Sequence, residues 1–272
     1  MKSSKNAGGQ SFYIGSVDVK IIINADDFGY SHSVNLAIVE AFRRGYITNT
    51  TVMVNMPGFD ESVSLAKEHG FFDKVGLHLN LLEGQPLTSG IKRESLFYTD
   101  GQMSSYKIFR NTNQLKRFFL PKHTVSAIYE ETAAQMCKYM QAGFTQFHLD
   151  SHKHSHTIIS VFLAVRSLIK KNKFRTIRKS LNLFANRPFL VKLYKYICNK
   201  LISNRMTTTK YFTSASEFIQ VMQSGFTDDS AICEIMVHPV FQDGKLVNAN
   251  NVDFETLFEY LDKNDLLSYL EI

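Results

Sequence analysis

Apolar residues along this 272-residue chain fall into two alternating patterns, short unbroken runs and longer stretches with helical spacing. The run VKIIIN at 19–24 is apolar and β-branched on consecutive positions, which predicts a strand buried on both faces within a parallel sheet. It gives way to Asp26, Asp27, Phe28 and Gly29. Beyond these, Val34, Ala37, Ile38, Ala41 and Phe42 recur at helical spacing over 33–44, with Gly45 just past the end. The same alternation predicts strand 50–55, helix 61–69, strand 75–81, helix 125–142 stopped by Gly143, strand 146–149 and helix 158–171. Strand 176–179, a basic helix opened by Pro188 and running to 202, strands 211–213 and 231–237, helix 254–261 and a closing strand 267–272 complete the series. Seven or eight βα units without internal repeats predict an α/β fold, a distorted (β/α) TIM-like barrel forming a single domain over 19–272. The weakly periodic, polar stretch 82–123 reads as an elaborated loop that roofs a site. Residues 1–18, rich in Gly, Ser, Lys and Asn and without the apolar centre of a secretion signal, read as a flexible leader.

Composition sharpens this picture at three points. Hydrophobic residues make up 44% and charged residues 21% of the chain, which suits a globular domain with a sizeable core and excludes a disordered one. No window approaches the roughly 18 apolar residues needed to span a bilayer. Cys137, Cys198 and Cys233 are scattered and odd in number, so neither a disulfide framework nor a zinc ribbon is indicated, and a reducing, cytoplasmic setting fits.

The net charge of 31 − 25 = +6 is unevenly spread. Residues 151–216 hold fourteen Lys or Arg and no Asp or Glu, leaving 17 − 25 = −8 for the remainder. Such a segment suits an anionic sugar carrier or peripheral contact with a membrane, and equally a set of solvated helix faces.

In βα barrels the reactive groups sit at the carboxyl ends of the strands. Asp26 and Asp27 follow the first strand, His78 lies in VGLHLNL, His148, His152, His154 and His156 fall in HLDSHKHSH, and His238 follows EIMV. A lone Asp-Asp pair is commonly a turn, and a lone strand histidine commonly a core residue. Four imidazoles within nine residues are harder to assign to packing. One carboxylate and two imidazoles leave coordination positions open on a divalent ion, the arrangement of a catalytic rather than a structural site. A neighbouring carboxylate can then take a water proton and a separate histidine can protonate a leaving group.

The strings IIINADDFGYS, ITNTTVMVN, VGLHLNLLEGQPL, HLDSHKHSH and EIMVHPVF, in this order, resemble the successive motifs of the YdjC-like carbohydrate deacetylases, from about Val19 to the C-terminus. The resemblance implies a metal-dependent hydrolase that removes acetyl groups from N-acetylated sugars or oligosaccharides. By motif it implies Asp27, His78 and His152 as ligands of one divalent ion, Mg2+ or Zn2+. Asp26 is the implied general base and His238 the general acid. Asp150 is then a candidate to orient an imidazole, and His156 a candidate for the sugar pocket or the surroundings of the ligands. No tryptophan is available for stacking on sugars, although 12 Tyr and 22 Phe are. The competing readings are a metal-dependent phosphoesterase and a basic nucleic-acid- or membrane-binding module on a barrel scaffold. With deacetylation preferred, no nucleic-acid partner is expected, and a homo-oligomer is compatible with the sequence.

Overall fold

A computed structural model describes residues 2–5, 11–14, 19–104, 118–184, 186–204, 206–226, 228, 231–249 and 252–272. Residues 1, 6–10 and 15–18 of the expected leader and 105–117 of the expected roof lie outside the described residues. Within the leader, Lys2–Lys5 pairs antiparallel with Ser11–Ile14.

Seven parallel strands form the central sheet: β1 (Lys20–Phe28), β2 (Asn49–Val52), β3 (Val75–Leu79), β4 (His148–Ser151), β5 (Thr176–Ile177), β6 (Tyr211–Ser214) and β7 (Ile232–Val237). Their order across the sheet is β6-β7-β1-β2-β3-β4-β5. The apolar run of β1 is central, and Ile21, Ile22 and Ile23 are buried, as a strand covered on both faces requires. The sheet is curled, because Arg178 at the end of edge strand β5 reaches Asp26 on β1 and Glu234 on β7, four and five strands away. The two edges approach through an isolated parallel bridge, Thr176 to Thr207, and through Asn182 and Leu183, whose N–H groups donate to the Phe212 carbonyl.

Helices α1 (His32–Arg43), α2 (Phe59–Glu68), α3 (Lys122–Gln141), α4 (Ile159–Lys171), α5 (Phe189–Ser203), α6 (Ala215–Gln223) and α7 (Phe254–Phe258) accompany the strands. Ser31 caps α1, its hydroxyl accepting from the Val34 N–H. The buried stripe Ala37, Ile38 and Ala41 follows the predicted spacing.

Several elements depart from expectation, a hairpin of two-residue strands, Tyr98–Thr99/Gln102–Met103, within the expected loop among them. The closing strand 267–272 is absent; Leu266 makes a single parallel bridge to Ile21, and Ser268 then caps the short 3-10 turn Tyr269–Glu271 with a capping box. Its serine and glutamate favour that local cap over strand pairing. Helix α6, N-capped by Ser214, and the hairpin Pro239–Gln242/Lys245–Asn248 lie where the sequence pattern predicted no element.

The described part of the expected roof is fixed to α3 rather than loosely draped. Buried Glu131 accepts from the Leu87 and Thr88 N–H groups, and Gln135 donates to the Asn80 carbonyl while accepting from its N–H. Those bonds explain why α3, an amphipathic helix by pattern, buries polar side chains on one face.

Candidate metal centre and active site

Residues side by side on a strand point to opposite faces, so Asp26 and Asp27 would ordinarily diverge. A register shift between Ala25 and Phe28 in the β1–β2 ladder, with Asp27 at φ +70°, breaks the alternation, leaving Asp27 partly accessible at the mouth and Asp26 buried below it. Gly29 follows at φ +83°, and a Cβ there would lie 3.0 Å from the Met53 carbonyl oxygen, so the tight exit from the strand depends on glycine.

Asp27 Oδ1 stands 3.2 Å from His78 Nε2 and 2.9 Å from His152 Nδ1, and the ligand atoms of these three residues all lie within 4.8 Å of one another. In both rings the nitrogen turned away from Asp27 faces another carboxylate. His78 Nδ1 donates to Asp150 Oδ1 at 2.7 Å, and His152 Nε2 lies 3.2 Å from Glu83 Oε1. Carboxylates placed behind imidazoles in this way fix ring orientation and raise basicity toward a metal. The donor set therefore fits a divalent ion, with one carboxylate and two oriented imidazoles at a mouth from which Asp27 is still partly accessible.

The electrostatics point the same way. Burial alone would push the Asp27 carboxyl up, but hydrogen bonds from His152 and His78 and the charge of both rings outweigh it, and its pKa lies far below the ordinary range. Burial acts to lower His78, yet the charge and hydrogen bond of Asp150, together with Asp27, push it up to about 10. His152 is likewise raised against its burial by Asp27 and Glu83. Glu83, bonded by His152 and paired with Lys153, is held down at about 2 despite partial burial. The cluster stabilises positive charge at the position a cation would take.

Beneath this mouth Arg178, fully buried, gathers three carboxylates. It donates to both oxygens of Asp26 at 2.6 and 2.7 Å, approaches Asp150 Oδ2 at 2.8 Å, and bonds Glu234 through Nε. Asn24 adds a 2.9 Å bond to Asp26, and Thr51 a 2.9 Å bond to Asp150. A planar guanidinium suits this task because it offers five donors in a fixed fork. Asp26 is thereby immobilised directly below Asp27.

His238 lies on the other side of Asp27, its Nε2 3.9 Å from Asp27 Oδ2. Its N–H donates to Asn248 Oδ1 and its carbonyl accepts from Ala249, so the hairpin after β7 folds back to fix it. His156 is placed differently. Fully buried, it takes a 2.6 Å bond from the Ser151 hydroxyl at Nδ1 and donates from Nε2 to the Arg178 carbonyl, which leaves no nitrogen for a sugar. It supports the backbone that presents Arg178. His148 is also interior, stacked on Tyr269 with centroids 3.6 Å apart.

The chain geometry after β4 is unusual in having two successive left-handed non-glycine residues, Lys153 at φ +48° and His154 at φ +55°. That turn swings Lys153 onto Glu83 directly after His152. Beside Glu83 a cavity of about 390 Å³ is lined by Tyr30, Met56, Leu82, Gly84, Gln102, Met103 and Ser104.

Arg178, Glu83, Thr51 and Glu234 did not emerge from the sequence reading. Arg178 sits at the carboxyl end of a recognised strand and was accessible to the same rule that found the histidines. Glu83 lies in an aperiodic loop with no such signal.

A family model described as "YdjC-like protein" matches residues 20–271. The chain belongs to the YdjC-like family. Relatives of this YdjC-like chain include the carbohydrate deacetylase of Clostridium beijerinckii, 30% identical over 249 residues and covering 89% of each chain. That of Brevibacillus brevis is 31% identical over 245 residues, 86% of each. That of Halalkalibacterium halodurans is 33% identical over 228 residues, 83% of this chain and 86% of the relative. Among solved structures, a protein of Enterococcus faecalis named for cellobiose-phosphate cleavage superposes with a TM-score of 0.67 at 23% identity, over 93% of this chain and 98% of its own, a likeness of fold. Among the described residues no helix is long and apolar enough to cross a membrane.

Proposed function

We propose that this YdjC-like chain hydrolyses the acetamide of an N-acetylated sugar, releasing acetate and a free amino sugar, with one divalent ion, Zn2+ or Mg2+. The observation that carries the reading is the convergence of Asp27, His78 and His152, each imidazole backed by its own carboxylate. Asp27, His78 and His152 would hold the ion, which would supply Lewis-acid polarisation and make water more acidic. Two imidazoles favour zinc-like ions.

The remaining chemistry falls to the chain. Asp26 takes the proton of the attacking water, its carboxylate kept in one orientation by Arg178 and Asn24. His238, on the opposite side of Asp27, gives a proton to the departing amine nitrogen. The sugar ring occupies the cavity lined by Tyr30, Met56, Gln102 and Met103, where Tyr30 supplies an aromatic face in a chain without tryptophan. The curled sheet acts as a TIM-like barrel, a reading supported by Arg178 spanning its interior from β5 to β1 and β7.

A single ion is favoured because the other carboxylate–imidazole groups, Asp26–His78–Asp150 and His148–Asp150–Glu234, already contain carboxylates paired with the Arg178 guanidinium. The same feature weighs against a two-metal phosphoesterase.

The test is acetate release from a panel of N-acetylated mono- and oligosaccharides with and without chelator. Turnover that chelator abolishes and added Zn2+ or Mg2+ restores is expected, and Asp26→Asn is expected to lose about 10²–10⁴-fold in rate while still binding metal. Absence of acetate from every substrate in the metal-loaded protein overturns the reading.

A further inference from the structure

Helix α5 presents its apolar side to the outside. Only Cys198 and Ile202 are buried on it. Phe189 (75% exposed), Leu190 (76%) and Tyr196 (61%) share one broad face with Leu193, Ile197 and Leu201, all accessible. Phe118 continues this surface, its ring set edge-on against Tyr194 at 5.9 Å, and Phe119 beside it is 76% exposed. Scattered exposed apolar residues are normal; a contiguous patch of this kind marks an interaction surface.

Positive charge borders the patch. A hollow of about 480 Å³ along α5 is lined by Lys179, Lys192, Lys195 and Lys200 together with Tyr196. Their described hydrogen bonds and ring contacts are to the Lys210 carbonyl, the Ser180 and Tyr196 hydroxyls and the Phe184 ring, and Glu217 acts on Lys195 through charge alone. Burial lowers Lys179, and burial together with the charge of Arg187 lowers Lys195 despite Glu217, so a phosphate beside either amine would be favoured.

We infer that α5 with Phe118 and Phe119 is a docking surface for an anionic lipid bilayer, into which the apolar side chains insert while the bordering lysines meet the headgroup phosphates. Two features favour a bilayer over a second copy of the chain. The lysines bordering α5 make no described ion pair, and Glu217, whose charge acts on Lys195, is already paired with Arg187, so face-to-face pairing of α5 would set lysines against lysines. An apolar helix face flanked by lysines also matches what an anionic interface accepts, acyl boundary for one part and phosphate for the other. The inner side of α5 is held to the body of the protein, where Cys198 and Tyr194 bond the Thr157 carbonyl, leaving the apolar face turned outward. This inference stands on surface chemistry and does not depend on the reaction proposed above.

Vesicle flotation tests it with the full chain. Wild type is expected to float with phosphatidylglycerol–phosphatidylcholine vesicles and not with phosphatidylcholine alone, with binding weakening as salt rises. Lys192→Gln and Lys200→Gln are each expected to weaken partitioning about fivefold, and Leu190→Glu with Ile197→Glu to abolish it. The chain should retain its wild-type circular dichroism, since all four side chains are on the surface. No flotation with anionic vesicles at low salt, equal flotation of the Leu190/Ile197 variant, or a concentration-dependent dimer that the same variant dissolves would each overturn the inference.

Discussion

His78 Nδ1 lies 2.7 Å from Asp150 Oδ1, on the side of the ring opposite Asp27. The bond fixes which imidazole nitrogen faces the mouth, so in the proposed metal site Asp150 would act on metal binding without touching the metal. Asp150→Ala is expected to weaken metal affinity about 10–100-fold, read by competition with a chromophoric chelator. Unchanged affinity in a folded variant would remove Asp150 from that role.

Arg178 ties Asp26, Asp150 and Glu234 together, with His78 as a second cation on Asp150 alone. Removing one partner of a buried ionic network strands the others, so Arg178→Met should lose about 3–5 kcal/mol of stability in urea titration. Arg178→Lys keeps the charge but not the two-pronged grip on Asp26, and is expected to fall between the two. Equal stability of all three proteins would contradict the network.

If His238 protonates the leaving amine, its importance should track the leaving group. His238→Ala is expected to slow amide hydrolysis about 10²–10⁴-fold, and to slow far less the hydrolysis of an activated acetyl ester, whose leaving group departs unprotonated. An equal loss on both substrates would assign His238 a different task.

Interior groups set opposing pH dependences. Burial lowers His148 to about 3 and His156 to about 4 from 6.5, so below pH 6.5 the unfolded chain binds protons that the folded one refuses, and stability falls as pH drops through that window. Glu234 is raised by burial to about 7 from 4.5, only partly offset by Arg178; between those values the folded chain holds the extra proton, and stability falls as pH rises. In the overlap the lowered histidines, His154 among them, outweigh one glutamate, so a net gain of stability up to about pH 6.5 is expected; above that, Glu234, His152 and His78, the last pushed up to about 10, hold protons the unfolded chain releases, and stability declines. Glu234→Gln should steepen the gain between about pH 4.5 and 6.5 and leave the decline set by His78 and His152 in place, as urea midpoints at several pH values would show.

Gly29 offers a purely conformational test. Gly29→Ala meets both a left-handed φ and a backbone oxygen at 3.0 Å, and should cost about 1–3 kcal/mol. A shifted urea midpoint with unchanged slope would identify the loss as one of stability.

Much of this molecule was legible because burial and periodicity are local signals. The β1 run, the α1 stripe and the strand-end histidines each follow from a few neighbouring residues. The mouth could be inferred because parallel strands deliver their carboxyl ends to one side. What escaped depends on partners far apart in the chain. Arg178 gains its meaning from Asp26 and Glu234, 152 and 56 residues away. His156 resembled its neighbours in sequence, but the fold gave both of its nitrogens structural partners. The C-terminus read as a strand from its apolar residues, whereas Ser268 and Glu271 satisfied each other locally and made a turn instead.

The kink in β1 restricts position 27 before any chemistry is considered. A left-handed backbone is comfortable for glycine and tolerated by asparagine, aspartate and histidine. Of these four only aspartate brings a negative charge, so the shape of the main chain and the demand for an anion admit a single amino acid, and substitutions at Asp27 that spare one requirement will violate the other.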